Sequence, residues 1–124
     1  MPKAQAKTEI QHVRWHEQPV EQLNSLLERQ YVVCQNVMVA RLFLKKGCVV
    51  PEHSHENEQI SCMQSGALEF VIDGKQVVVR AGELLLIPPH ISHSATALED
   101  SLALDFFTPP RQDWLEKRDD YLRG

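Results

Sequence analysis

The stretch GCVVPEHSHENEQISCMQSG, residues 47–66, contains a seven-residue segment, 53–59, with three side chains that could bind a metal ion. His53 and His55 are one residue apart, and Gln59 follows four positions after His55. Residues two apart in an extended strand point to the same side, so the two imidazoles should project together. Gln59 keeps this parity if the strand resumes after the ENE segment. The spacing predicts nitrogen and oxygen ligands that converge.

Two further histidines follow an apolar run in GELLLIPPHISHSA, residues 82–95. With His90 and His93, four of the six histidines lie between positions 53 and 93, at the ends of predicted strands. Imidazole suits Zn, Ni, Fe or Cu, and three imidazoles with one oxygen leave open positions on an octahedral ion. Any single histidine is explained equally well as a loop or packing residue. The set as a whole favours a metal centre, with loop or packed histidines as the alternative.

An acidic residue interrupts the apolar strand SLALDFF, residues 101–107. Strand alternation places Asp105 and Phe107 on one face, beside small residues. A carboxylate in such a strand is costly unless it is paired or takes part in chemistry. Arg111 follows six residues later, and its rigid donor fork suits a carboxylate or hydroxyl group. Two interpretations stand: a ligand site containing both residues, or an ion pair between them that holds the C-terminal helix.

Composition limits the class of protein. The chain has 124 residues, of which 43% are apolar, which is enough for the core of one domain. Its net charge is −4 and its 13 basic residues form no dense patch, which argues against nucleic acid and anionic membranes as partners. We expect no secretion signal and no membrane span, because no apolar run approaches the required length. Cys34, Cys48 and Cys62 are expected to be reduced and buried in a cytoplasmic protein.

Short apolar segments separated by turn residues predict an all-β sandwich or barrel. Asp73-Gly74 is the pair that a two-residue type I′ hairpin turn prefers. Residues 20–29 fit either a short helix or a turn leading into a strand, and the first ten residues should be frayed. Trp114 and Tyr121 fall in a predicted terminal helix that closes one end of the barrel. The strand predictions cover residues 31–35, 37–47, 60–66, 67–72, 75–80, 83–89 and 101–110.

The two histidine stretches resemble the two motifs of the cupin family. From Gly47 to Gly66 the pattern is Gly-x5-His-x-His-x3-Gln-x6-Gly, and from Gly82 to His93 it is Gly-x5-Pro-x-His-x2-His. The resemblance implies a single-domain antiparallel β-barrel of jelly-roll type with a short C-terminal helix. It divides the chain into an N-terminal extension with the first strand (1–36), the cupin barrel (37–110) and the C-terminal helix (111–124).

The same resemblance implies one divalent metal ion (Zn, Ni, Fe or Mn) with ligands His53, His55, Gln59 and His93. Gln59 stands where most cupins have glutamate, and Ala97 replaces a common asparagine. His90 replaces a common glycine and is expected in a loop or behind the ligands. Because an amide is neutral, an ion bound by these four groups keeps its +2 charge, which favours an anionic substrate and a developing oxyanion.

A glutamine ligand followed by the spacing Asp105-x-Phe107-x3-Arg111 resembles the KdgF-type cupins of pectin and alginate breakdown. That resemblance implies linearisation of 4,5-unsaturated monouronates, with Asp105 as the acid/base and Phe107 and Arg111 binding the sugar acid. Three residues separate His55 from Gln59, one fewer than this family leads us to expect. By analogy with cupins we expect a homodimer. The alternatives are a cupin dioxygenase and a non-catalytic, metal-dependent binding or sensor protein for sugar acids.

Overall fold

Two antiparallel sheets make up the computed structural model, which describes residues 9–123. The six-stranded sheet has the order β1 (Glu21–Asn24), β2 (Leu27–Val33), β3 (Met38–Leu44), β10 (Ser101–Thr108), β5 (Glu58–Ser65) and β8 (Leu84–Ile87). The four-stranded sheet has the order β4 (Val49–His53), β9 (His93–Ala97), β6 (Ala67–Ile72) and β7 (Lys75–Arg80). A 3-10 turn (Trp15–Glu17) precedes β1, and the helices α1 (Gln112–Leu115) and α2 (Asp120–Arg123) follow β10. The predicted all-β jelly-roll fold with a short C-terminal helix is confirmed.

β10 shows how the sequence pattern builds the core. It lies between β3 and β5 in the larger sheet and buries every second residue. Its register with β5 sets Asp105 opposite Ser61 and Phe107 opposite Gln59. The buried face of β10 therefore faces the barrel interior together with other apolar side chains, among them Met38, Ala40, Met63, Leu68 and Phe70.

Glycine and aspartate residues set two of the tight turns. Asp73 and Gly74 both have positive φ (51° and 77°) and close the β6–β7 hairpin, as predicted. Gly66 has φ 81°, and a Cβ at this position would collide with Asp100 and Ser101. Gly66 therefore allows the close approach between the start of β6 and the loop before β10.

The prediction of a short helix for residues 20–29 is wrong. The alternative, a turn leading into a strand, is correct. Asn24 Oδ1 accepts a hydrogen bond of 2.8 Å from the Leu26 N–H, which closes a turn between β1 and β2. Leu23 and Leu27 are both buried in the core from the two strands. The leucine spacing thus reflects two short strands rather than one helical face.

The remaining predictions about the chain ends and the cysteines have mixed outcomes. Residues 1–8 of the predicted frayed N-terminus lie outside the described residues. The predicted C-terminal helix forms as two four-residue helices, with Lys117 at φ 60° between them. Cys48 is buried as predicted, but Cys62 is half-buried and Cys34 is exposed, because it lies in the loop after β2. Within residues 9–123 no helix has the length and apolar character needed to cross a membrane.

Candidate metal centre and pocket

Three histidines meet from three different parts of the fold. His53 ends β4, His93 begins β9, and these two residues are partners in the β4–β9 ladder. Their ring centroids lie 4.4 Å apart, and the His55 ring lies 5.1 Å from that of His93. One potential ligand atom from each histidine lies within 4.8 Å of the others. The predicted strand parity of His53 and His55 is wrong, because His55 lies in the loop after β4 and converges through a turn of the chain.

Main-chain contacts fix the imidazoles in one tautomer. Nδ1 of His53 and of His93 lies 2.8 Å from the carbonyl oxygen two residues earlier in the chain. Nδ1 of His55 lies 3.1 Å from the carbonyl oxygen two residues later. A carbonyl oxygen only accepts hydrogen bonds, so each Nδ1 must carry the proton. All three Nε2 atoms are left with a lone pair that could bind a metal ion.

Gln59 offers an oxygen as a fourth ligand atom. Its Nε2 donates to Ser61 Oγ at 2.9 Å and to Asp105 Oδ2 at 3.4 Å, which turns Oε1 towards His55. Oε1 lies 3.0 Å from His55 Nε2. Since the His55 proton is on Nδ1, two acceptor atoms face each other with no hydrogen between them. A cation bound by both atoms would remove this repulsion. One fewer residue separates His55 from Gln59 than the KdgF-type cupins led us to expect, and the two ligand atoms still meet.

The protonation state of the cluster also fits a metal ion. Burial lowers the pKa of His53 and His55 to about 4, and the nearby Arg111 charge acts in the same direction. Burial likewise lowers the pKa of His93, whose Nε2 is buried with no hydrogen-bond partner among the described residues. Neutral imidazoles are the form that binds metals. Three imidazole nitrogens and one amide oxygen therefore fit a divalent ion such as Zn, Ni, Fe or Mn.

Asp105 is buried beside this cluster. Its side chain is only 7% exposed, and within residues 9–123 its Oδ1 has no hydrogen-bond partner. Burial raises the pKa of Asp105 to about 6, while the Ser61 hydroxyl and the Arg111 charge oppose the shift. A carboxyl group with such a pKa can take up and release a proton near neutral pH.

Arg111 lies at the N-terminus of α1 with 1% of its surface exposed. Its Nε and Nη2 donate to the two carboxylate oxygens of Asp113, at 3.0 and 2.8 Å. Nη2 also donates to Tyr121 Oη at 2.6 Å. The guanidinium carbon lies 5.0 Å from the centre of the Phe107 ring and 4.7 Å from that of Trp114. These contacts hold a buried positive charge in one place.

The ion pair considered between Asp105 and Arg111 does not form. Asp105 contacts Gln59 instead, and Arg111 pairs with Asp113 in the first turn of α1. Arg111 still holds the C-terminal segment, but through a partner two residues away. Both side chains therefore reach the pocket without neutralising each other through a direct contact.

Six of the seven predicted site residues line one pocket, which contains about 540 Å³ including its open mouth. The seventh, His55, packs its ring edge-on against Phe107 at 5.7 Å. The pocket is also lined by apolar side chains and by two residues that the sequence reading assigned only to helix packing, Trp114 and Tyr121. The six lining residues are His53, Gln59, His93, Asp105, Phe107 and Arg111.

His90 and Asn57 support the histidines from outside the cluster. The His90 side chain is exposed, its φ is 66°, and its N–H donates to the His55 carbonyl oxygen at 2.8 Å. Asn57 is 2% exposed and its Nδ2 donates to the Pro110 carbonyl oxygen at 3.2 Å. Asn57 thus links the loop that carries His55 to the segment that carries Arg111, a contact between loops that no local sequence pattern indicates.

The jelly-roll fold and the histidine cluster define a class of protein. The family model described as Cupin domain matches residues 40–108, and the chain belongs to this family. The chain is 28% identical over 102 residues to the pectin degradation protein KdgF of Dickeya dadantii, covering 80% of this chain and 93% of that protein.

Solved cupin structures are also similar to this chain. The structure of KdgF from a Halomonas species is 30% identical with a TM-score of 0.75, covering 80% of this chain and 93% of that one. An RmlC-like cupin from Shewanella frigidimarina is 25% identical with a TM-score of 0.79, covering 86% and 96% of the two chains. Within the cupins, the protein is therefore KdgF-like.

Proposed function

We propose that this protein is a metal-dependent enzyme that linearises 4,5-unsaturated monouronates to 5-keto-4-deoxyuronates. The observation that carries this proposal is the pocket, where a neutral four-ligand cluster lies beside a buried carboxylate with an unpartnered oxygen and a buried arginine. The likeness to KdgF, a pectin degradation protein, supports a small uronate as the substrate.

His53, His55, His93 and Gln59 would hold one divalent ion, with imidazole nitrogens and an amide oxygen as ligands. When bound, the ion supplies a Lewis acid whose uncancelled positive charge stabilises negative charge on the substrate. The protein's own contribution is the fixed orientation of all four ligand atoms before binding, through the main chain for the histidines and through Ser61 and Asp105 for the glutamine.

Asp105 is assigned the proton transfers. Its unpartnered Oδ1 removes the proton of the C1 hydroxyl group, the bond from C1 to the ring oxygen breaks, and C1 becomes an aldehyde. The former ring oxygen becomes the C5 ketone as C4 receives a proton. The proton lost at the C1 hydroxyl balances the proton gained at C4, so the reaction is an isomerisation and needs no co-reactant. A pKa of about 6 suits Asp105 for both steps.

Arg111 and Phe107 are assigned to substrate binding. The Arg111 guanidinium is held by Asp113 and presents a buried positive charge to the pocket, where it would bind the substrate carboxylate. Phe107 is 1% exposed and packs between His55, Trp114 and Arg111. Its ring forms a rigid apolar wall that orients the sugar and excludes water.

The product formed in deuterated water tests this proposal. Metal-loaded protein and unsaturated monouronate should give 5-keto-4-deoxyuronate with one deuterium at C4, without oxygen uptake. Oxygen consumption would favour the dioxygenase alternative. Binding of the uronate without any product would favour the sensor alternative and overturn the enzymatic proposal.

We further propose that the protein is a cytoplasmic homodimer. β8 is an edge strand, and its Leu84 and Leu86 side chains are 62% and 66% exposed, with Ile60 beside them on β5. An apolar patch on an unpaired strand suits a second copy of the same strand. Light scattering should give the mass of a dimer for the wild type and of a monomer for Leu86→Glu.

A further inference from the structure

Tyr121 reaches the pocket because α2 is anchored to the first two strands. Asp119, just before α2, forms an ion pair of 2.8 Å with Arg29, and both side chains are fully buried. Asn24 Nδ2 donates to the Leu122 carbonyl oxygen at 2.8 Å. These two contacts across the length of the chain hold α2 against the barrel, with Tyr121 among the residues that line the pocket.

The Tyr121 hydroxyl accepts hydrogen bonds from the protein but donates none to the described residues. Its oxygen accepts hydrogen bonds from Arg111 Nη2 at 2.6 Å and from Trp114 Nε1 at 3.4 Å. Both partners can only donate, so the phenol must be the acceptor in each bond. Among residues 9–123 no atom accepts a hydrogen bond from this hydroxyl, so its proton is available to another molecule.

Tyr121 is one of the residues that line the pocket. The Tyr121 ring centroid lies 4.8 Å from that of His53, so the phenol borders the candidate metal centre. Its hydroxyl stands beside the Arg111 guanidinium, and donation from that cation makes the O–H a stronger donor. A hydroxyl donor next to a positive charge matches a carboxylate, which has an acceptor oxygen for each.

We propose that the Tyr121 hydroxyl donates a hydrogen bond to the substrate carboxylate and forms, with Arg111, the subsite that selects an acidic sugar. That the ligand is a uronate rests on the proposed function, whereas the hydroxyl donor itself is inferred from the contacts of Tyr121 in the pocket. Tyr121 contacts the substrate in its bound state, so it acts mainly on affinity and on KM. It moves no proton in the reaction.

The test compares Tyr121→Phe with Tyr31→Phe in nickel-loaded protein. Each variant loses one hydroxyl, and the chain contains only these two tyrosines. Tyr31 lies on β2 with its ring 6.2 Å from that of Trp114, outside the pocket lining. The probes are D-galacturonate in calorimetry, as a saturated uronate without the C4–C5 double bond that the reaction consumes, and unsaturated monouronate in steady-state kinetics.

We expect Tyr121→Phe to bind galacturonate about tenfold more weakly and to raise KM by a similar factor, the effect of one lost hydrogen bond. Nickel affinity should match the wild type, because Tyr121 is not a metal ligand. The unfolding temperature should fall, because Arg111 Nη2 and Trp114 Nε1 lose an acceptor, so binding is compared at a temperature at which both proteins are folded. Tyr31→Phe should match the wild type in every measurement.

The outcomes separate this inference from the proposed function. If the wild type linearises uronates and Tyr121→Phe has unchanged affinity and KM, the subsite is wrong and the function stands. If the wild type forms no product but galacturonate binding falls in Tyr121→Phe, the subsite stands and the enzymatic function fails. If the wild type neither binds nor converts uronates, both are wrong.

A second measurement covers the case in which Tyr121→Phe does not fold. In the Tyr31→Phe protein Tyr121 is the only tyrosine, so carbon-13 label at tyrosine Cζ gives one resonance. Its chemical shift should change when galacturonate binds, because the hydroxyl gains an acceptor. A resonance that stays in place at saturation would overturn the proposal.

Discussion

The histidine side and the C-terminal side of the pocket are organised differently. On the histidine side the ligand atoms of His53, His55, His93 and Gln59 converge, and all four are acceptors. On the C-terminal side opposite charges are paired within the protein, as Arg111 with Asp113 and Arg29 with Asp119. The first side could hold a cation, whereas the second pairs its own charges and, under the proposed function, offers donors to a substrate.

Asp105 lies between these two sides. It accepts a hydrogen bond from Gln59 on the histidine side and feels the charge of Arg111 on the other. Neither side neutralises its carboxyl group fully, because one oxygen has no partner among the described residues. The difference between the two sides therefore explains why one buried carboxyl group remains available for chemistry.

Removal of one imidazole should give the largest effect on the histidine side. We expect His93→Ala to lower nickel and zinc affinity by more than about a hundredfold, since even residues behind metal ligands contribute tenfold to hundredfold. Excess metal should raise the unfolding temperature of the wild type and leave that of His93→Ala unchanged. His90→Asn is the control, because its side chain is exposed and asparagine tolerates positive φ. Equal affinities of wild type and His93→Ala would contradict the assigned centre.

Asp105→Asn tests the residue between the two sides. The amide keeps the size of the carboxyl group but cannot take up the proton, so kcat should fall by about a hundredfold or more. Nickel affinity should change much less than in His93→Ala, because Asp105 is not a ligand. Full activity of Asp105→Asn on unsaturated uronates would rule out the acid/base role.

The pH dependence of stability in metal-free protein should sharpen the position of Asp105. Its folded pKa of about 6 lies above the usual 3.8, so the folded state holds the proton more tightly than the unfolded state. The stabilisation is present below pH 4 and is lost as pH rises to about 6, a change of up to about 3 kcal/mol. Urea unfolding should therefore show Asp105→Asn to be more stable than the wild type at pH 8, with a difference that shrinks by pH 4. A pH-independent difference would contradict the buried, unpaired carboxyl group.

Gln59→Glu should change activity less than Asp105→Asn does, and it should affect both metal binding and the substrate. The added negative charge should bind the metal ion more tightly and reduce the charge available to the substrate. We expect kcat to fall about tenfold, the effect of about 1.4 kcal/mol on the barrier. Calorimetry with nickel and steady-state kinetics measure both effects. An unchanged kcat would show that the neutrality of Gln59 is unimportant for catalysis.

The sequence predicted the parts of the fold that local patterns determine. Strand alternation in residues 101–107 gave the buried face of β10, and Asp73-Gly74 gave the β6–β7 hairpin. β9 was missed, because HSATA is short and has only small or polar side chains, and its place comes from pairing with β4 and β6. An extended strand was expected at His53 and His55, but β4 ends at His53.

The same division applies to the site. Local spacing drew attention to His53, His55 and Gln59, and the resemblance to the cupin motifs added His93. The loop position of His55 was not foreseen. The pairing of Arg111 with Asp113 is local but was not considered. The position of Tyr121 at the pocket depends on how α2 packs, and the ion pair of Arg29 with Asp119 anchors α2. Contacts between residues about ninety positions apart leave no signal in a single sequence.

Ultraviolet absorbance of the conjugated double bond in unsaturated monouronates tests the central claim most directly. Nickel-loaded protein should remove this absorbance faster than the spontaneous reaction, a chelator should abolish the acceleration, and added nickel should restore it. A metal-loaded protein that leaves the spontaneous rate unchanged would contradict the proposed enzyme.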